Sequence, residues 1–256
     1  MIVLMGFFTC PAFAALALDA STPAAVKSNV QNLTTASFTP PAGSVLYILV
    51  AINSLGGGNT DTVTGISDSL GGPGLTYIKQ LSLGNTTNDC IVYLYTATVI
   101  TSQSMTVTAT QSNYGTSASY AYMKVLVVTG VNTSSPVGAN GGGRGAAGVI
   151  SDPYVSTTNN SWGWLLYADW NAAAIPTAGA SQTLDDSYFI AGQDTYALIQ
   201  QNATTASSGT SVTMSTTAPT SGAQTTHMYF EMKPFITTTQ SIVQGNSVIA
   251  GNSVLN

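Results

Sequence analysis

The chain has 256 residues, of which only 15 are charged (five Lys or Arg, ten Asp or Glu), giving a net charge of −5 and a pI near 4.3. That is about a quarter of the usual charged fraction. With one histidine, one glutamate and cations scattered at Lys27, Lys79, Lys124, Arg144 and Lys233, most acid–base, metal and phosphate chemistry is excluded and no nucleic-acid partner is expected. An apolar fraction of 44% over this length argues for a folded core, not disorder.

Met1 to Ala14 is apolar, and Ala12-Phe13-Ala14 has the small-x-small pattern of a signal-peptidase site. No Lys or Arg precedes the apolar run and the segment is short. The expectation is a retained segment packed on the core or on a neighbour, with a cleaved signal as the alternative. The run is below the roughly 20 residues that span a bilayer, so no membrane span is expected. Cys10 lies within it. Cys90, beside Ile91 and Val92, reads as a buried thiol.

Strand periodicity then dominates. Val45 to Ile52, Ile91 to Val99 and Tyr120 to Val131 are continuously apolar and read as central strands covered on both faces. Ser104 to Thr110 alternates, with Met105, Val107 and Ala109 on one face; Ser211 to Thr217 repeats the pattern with Val212 and Met214. Trp162 to Trp170 and Tyr196 to Gln201 add further strands, and near the end Met228, Phe230 and Met232 alternate with His227, Tyr229, Glu231 and Lys233. Gly- and Pro-rich turns separate these runs, and Gly141 to Gly145 reads as a long mid-chain loop. The expected fold is all-β, an antiparallel two-sheet sandwich, jelly-roll-like, of about nine to twelve strands. The expected organisation is an N-terminal apolar arm (1–29), a sandwich domain (30–235) and an extended tail (236–256) that repeats Gly-Asn-Ser-Val at 245–248 and 251–254.

Little in these strands carries chemistry. His227 and Glu231 share a face but stand about 13 Å apart in a strand, too far to act as a pair, so a solvated or interface face is expected. Asp185 and Asp186 point to opposite sides if extended, which does not make a glycosidase pair. Asp61 and Asp68 lie in a loop rich in oxygen ligands without the spacing of a calcium loop, and zinc lacks ligands. No catalytic residue, cofactor or metal is expected. Trp162, Trp164 and Trp170 share one parity, which suits a sugar-stacking platform, a sandwich core or an interface.

One broader pattern links the strands: Thr34 to Leu46, Ser67 to Gly72, Leu75 to Tyr77, Val92 to Ala97, Met105 to Thr108 and Lys124 to Val131. Over about residues 30–235 it resembles a family of β-sandwich proteins encoded by bacteriophages and some bacteria, often associated with tails or virion surfaces. Thr129 departs from it where such strands often carry an acid. The resemblance implies a non-enzymatic structural protein on the phage particle surface, partnered by other virion proteins and copies of itself. The alternative is a secreted or virion-borne carbohydrate-binding module or adhesin that meets a host surface glycan.

Overall fold

The structure, a computed structural model, describes residues 15–54, 62–84, 89–112, 120–145, 149–171, 174–221 and 224–236. Among them are seventeen strands and no helix. The first nine are β1 (Ala17–Leu18), β2 (Val26–Ser28), β3 (Asn32–Thr34), β4 (Val45–Ser54), β5 (Val63–Asp68), β6 (Ile78–Leu83), β7 (Asp89–Thr98), β8 (Val107–Gln111) and β9 (Ala121–Thr129). The remainder are β10 (Val137–Gly145), β11 (Ser151–Val155), β12 (Trp162–Asp169), β13 (Thr177–Ala178), β14 (Gln182–Ile190), β15 (Asp194–Gln201), β16 (Ser211–Ala218) and β17 (Thr225–Met232). The all-β expectation holds, and every pairing is antiparallel.

The expected two sheets of nine to twelve strands are replaced by four stacked sheets, because both faces of each larger sheet are covered, one by the other larger sheet and one by a smaller sheet. A larger sheet has the order β1-β9-β4-β7-β6, with β2 also on β9, and a smaller one has β3-β8-β5. A second larger sheet has the order β10-β17-β12-β15-β14, and a second smaller one β11-β16-β13. The second half of the chain therefore repeats the topology of the first, strand for strand. Register carries the match to single residues. Val45 and Tyr47 face Val128 and Leu126 across β4 and β9, as Trp162 and Trp164 face Met232 and Phe230 across β12 and β17. β6 has its irregularity between Lys79 and Leu81, and β14 has the same one between Leu184 and Asp186, so Gln80 and Asp185 are matching bulge residues. β1 and β2 together fill along β9 the place that β10 fills along β17, with Leu18 opposite Val128 and Val137 opposite Met232. Even the entries to the central strands agree: Gly43 (φ 80°) and Asn160 (φ 56°) take the left-handed conformation open to Gly and Asn, each before a buried Ser.

Three apolar layers follow from strand alternation. Leu46, Ile48, Val50 and Ile52 of β4 pack toward β3-β8-β5 with Met105, Val107 and Ala109. Val45, Tyr47, Leu49 and Ala51 point the other way and meet Trp164, Leu166, Met228, Phe230 and Met232 between the two larger sheets. Leu165 and Tyr167 then meet Val212 and Met214 beneath β11-β16-β13. Burying each such side chain stabilises by about 1.5–3 kcal/mol relative to exposure, and the middle layer ties the halves together. Tyr47 stacks on Phe230 at 5.9 Å and Tyr122 on Tyr196 at 6.2 Å across it. The Val131–Pro234 bridge joins the chain just past β9 to that just past β17.

Two further expectations change. Gly141 to Gly145 is not a loop but the body of β10, paired with Tyr229 to Thr225. Glycine is needed there because β10 runs close to its neighbours: a Cβ on Gly142 (φ 150°) would overlap the His227 carbonyl, and one on Gly138 would overlap the Glu231 carboxylate. Residues 15–29 also contribute β1 and β2 to the edge of a sheet, so this part of the expected arm is paired. Met1 to Ala14 with Cys10, and the tail from 237 with its Gly-Asn-Ser-Val repeats, lie outside the described residues.

Candidate functional site

Glu231 and Asp68 are structural acceptors. Glu231 is fully buried and accepts from Thr157 N at 2.9 Å, Thr157 Oγ1 at 2.6 Å and Ala139 N at 2.8 Å. His227 is buried with it and lies 3.0 Å from Asp152 of β11 through Nε2. The face they share is therefore neither solvated nor open to a partner: the smaller sheet β11-β16-β13 covers it. Asp68 accepts from Leu70 N at 3.0 Å, Leu75 N at 2.8 Å and Tyr77 Oη at 3.0 Å, which spends both oxygens on closing its own loop. Asp61 lies outside the described residues. Among the described residues no group of three or more His, Cys, Asp or Glu is placed to hold a metal ion.

Asp185 and Asp186 sit at the β14 bulge, which breaks the simple alternation that the sequence suggests. Asp186 is paired with Lys27 of β2 and reaches Tyr122 Oη at 3.4 Å. Burial raises the Asp185 carboxyl above its ordinary value, opposed by Lys124 and reinforced by Asp186. At the far end of the second larger sheet, Asp169 accepts from Asn171 N and Gln224 N, both at 2.9 Å. Asp194 is also fully buried, and neither of its oxygens has a hydrogen bond of ordinary geometry. Burial pushes its carboxyl up to about 8; the Asn53 side chain opposes this and the Asp169 carboxylate adds to it. In the first half the matching positions hold Cys90, buried, and Ile52, so this acid pair belongs to the second half alone.

The three tryptophans are not coplanar neighbours on a surface. Trp164 is 0% exposed in the layer between the larger sheets, where its ring offers nothing to a ligand. Trp170 is half-buried at the other end of the strand. Trp162 is half-buried at the start of β12, packed edge-on against Trp164 at 5.0 Å, with Nε1 donating to the Gln201 carbonyl at 2.9 Å.

Trp162 stands beside a groove of about 500 Å³ lined also by Leu18, Thr183, Gln200, Gln201 and Asn202. A groove of about 450 Å³ occupies the matching place in the first half, lined by Ile78, Thr96, Ala97, Thr98 and Val137 among others. Both form where an edge strand of one larger sheet passes the outer strands of the other. Parity alone could not reveal them, because each is assembled from strands of both halves. Comparison with protein families, with curated proteins and with solved structures finds no match to this chain.

Proposed function

We propose that this chain is a structural protein of a bacteriophage virion, a head-decoration or tail-surface subunit that works by packing against copies of itself and other virion proteins. The observation that carries this reading is the state of the strand edges. Ile78 (56% exposed) lies on β6, Val155 (59%) on β11 and Phe189 (42%) on β14, and each of these strands has no neighbour on one side among the described residues. Soluble monomers guard such edges against pairing; apolar side chains there invite another chain. The surface chemistry agrees, since charge is depleted where interfaces pack.

The strand order supports a jelly-roll reading of each half. From β2 to β9 the chain passes between the larger and smaller sheets in the same sequence as from β10 to β17, with the fifth strand of each set in the larger sheet. Jelly rolls serve in viral shells and in lectins, so fold alone does not choose between assembly and glycan binding. Mass spectrometry of purified phage particles tests the structural reading. An intact chain present in many copies per particle is the expected result; its absence from particles, with only monomer in solution, would overturn it.

A further inference from the structure

The repeated topology lets one half of the molecule serve as the reference for the other. At the matching positions Val45, Ile78, Thr96, Ala97 and Thr98 of the first half, the second half has Trp162, Thr183, Gln200, Gln201 and Asn202. The scaffold strands are the same and the grooves are of similar size, and both carry hydroxyls and amides, Gln80 among them in the first. The second adds an indole with the Gln200 and Asn202 amides, while the Gln201 amide faces the other side of the sheet and accepts from Gly163 N at 2.7 Å. We infer that the groove beside Trp162 is a binding site for a neutral saccharide.

The chemistry of the lining selects that class. No charged side chain lines the groove, which disfavours phosphates, acidic sugars and basic peptides as ligands. An indole presents the flat apolar face on which the C–H side of a pyranose packs, while amides and hydroxyls match its alternating donors and acceptors. Trp162 is held in position before any ligand arrives, by its Nε1 bond to the Gln201 carbonyl and its edge contact with Trp164. Such preorganisation lowers the cost of binding. Asn202 is exposed and its amide is oriented by the Thr183 hydroxyl. Gln200 Oε1 is buried without a hydrogen-bond partner within the protein, and its Nε2 makes only a long contact of 3.5 Å to Asp185. A volume of about 500 Å³ falls in the range of small-ligand sites. Structural need accounts for the Gln201 amide, which holds Gly163 N, but the first half forms the same sheets without an indole or amides at the positions of Trp162, Gln200 and Asn202.

The test is a titration of the full chain with cellobiose, maltose, chitobiose and lactose at millimolar concentration, read by tryptophan fluorescence and calorimetry. Saturable binding of at least one sugar is expected, weakened about tenfold or more in Trp162→Leu and in Asn202→Ala. Thr98→Ala, in the matching groove, should leave binding unchanged. Asn202 is exposed, so its variant reports on the groove even if Trp162→Leu disturbs packing. No binding across the panel, or binding unaltered in Asn202→Ala and in a folded Trp162→Leu, would overturn the assignment. The outcome is independent of whether the chain is found in phage particles.

Discussion

Glu231 of β17 stands where Val127 stands in β9, and both point from a larger sheet toward the smaller sheet that covers it. One half fills this position with an apolar side chain. The other buries a carboxylate and gives it two backbone amides and a hydroxyl. The acid works as a clasp: it binds the start of β10 through Ala139 and the segment after β11 through Thr157, in place of ordinary sheet pairing.

Removing that clasp leaves Thr157 N and Ala139 N without their acceptor. Hydrogen bonds to a charged group contribute about 1.5–3 kcal/mol each, and orphaned buried donors cost a similar amount. Glu231→Gln and Glu231→Val are therefore both expected to lower unfolding stability by about 2–4 kcal/mol, measured by urea denaturation. A neutral or stabilising Glu231→Val would show that the apolar solution of the first half suffices in the second.

Asp194 should give the protein an unusual pH dependence. Its carboxyl titrates near 8 in the folded chain because of burial, against about 3.9 when unfolded. Between these values the folded state holds a proton that the unfolded state has released, so this group's contribution is fully present below about pH 4. It is lost as pH rises toward 8 and stays flat above. Each pKa unit corresponds to about 1.4 kcal/mol, which makes the whole decline on the order of a few kcal/mol. Asp194→Asn should remove it. The gap in stability between variant and wild type is expected to widen in the variant's favour from pH 5 to pH 9, and a gap independent of pH would refute the assignment.

The glycine strand offers a paired comparison. A Cβ at Gly142 would meet the His227 carbonyl and Met228 Cα, whereas at Gly143 its nearest neighbour is His227 Nε2 at 3.4 Å. Gly142→Ala should destabilise by about 2 kcal/mol or more, while Gly143→Ala should change stability by less than about 1 kcal/mol. Thermal melts of the two variants check this. Equal effects would mean that the strand has room to shift away from β17.

Edge-strand association is tested at Ile78 and Val155. Lys at either position should reduce self-association seen by light scattering while leaving the melting temperature close to that of the wild type, since both side chains are more than half exposed. Unchanged association in the double variant would remove these edges from the assembly surface.

Sequence alone determined the local character of the fold. The alternation of Met105, Val107 and Ala109, of Val212 and Met214, and of Met228, Phe230 and Met232 marks a buried face in each strand, although in β17 the opposite face with His227 and Glu231 is buried as well. The unbroken apolar runs are strands covered on both sides. Such patterns need only the two-residue period of a strand. They do not say which sheet covers a face, and that depends on partners far away in the chain. Tertiary structure alone decided that the topology occurs twice, because the matching residues differ in kind, as Cys90 and Asp194 or Val127 and Glu231 do. It decided that Trp164 fills the core while Trp162, two residues earlier on the same face, reaches a groove, since the opposing sheet covers only part of the strand. It also decided that five residues rich in glycine form a strand instead of a loop: a missing side chain permits a turn and a close approach equally well, and only the neighbouring β17 shows which is used.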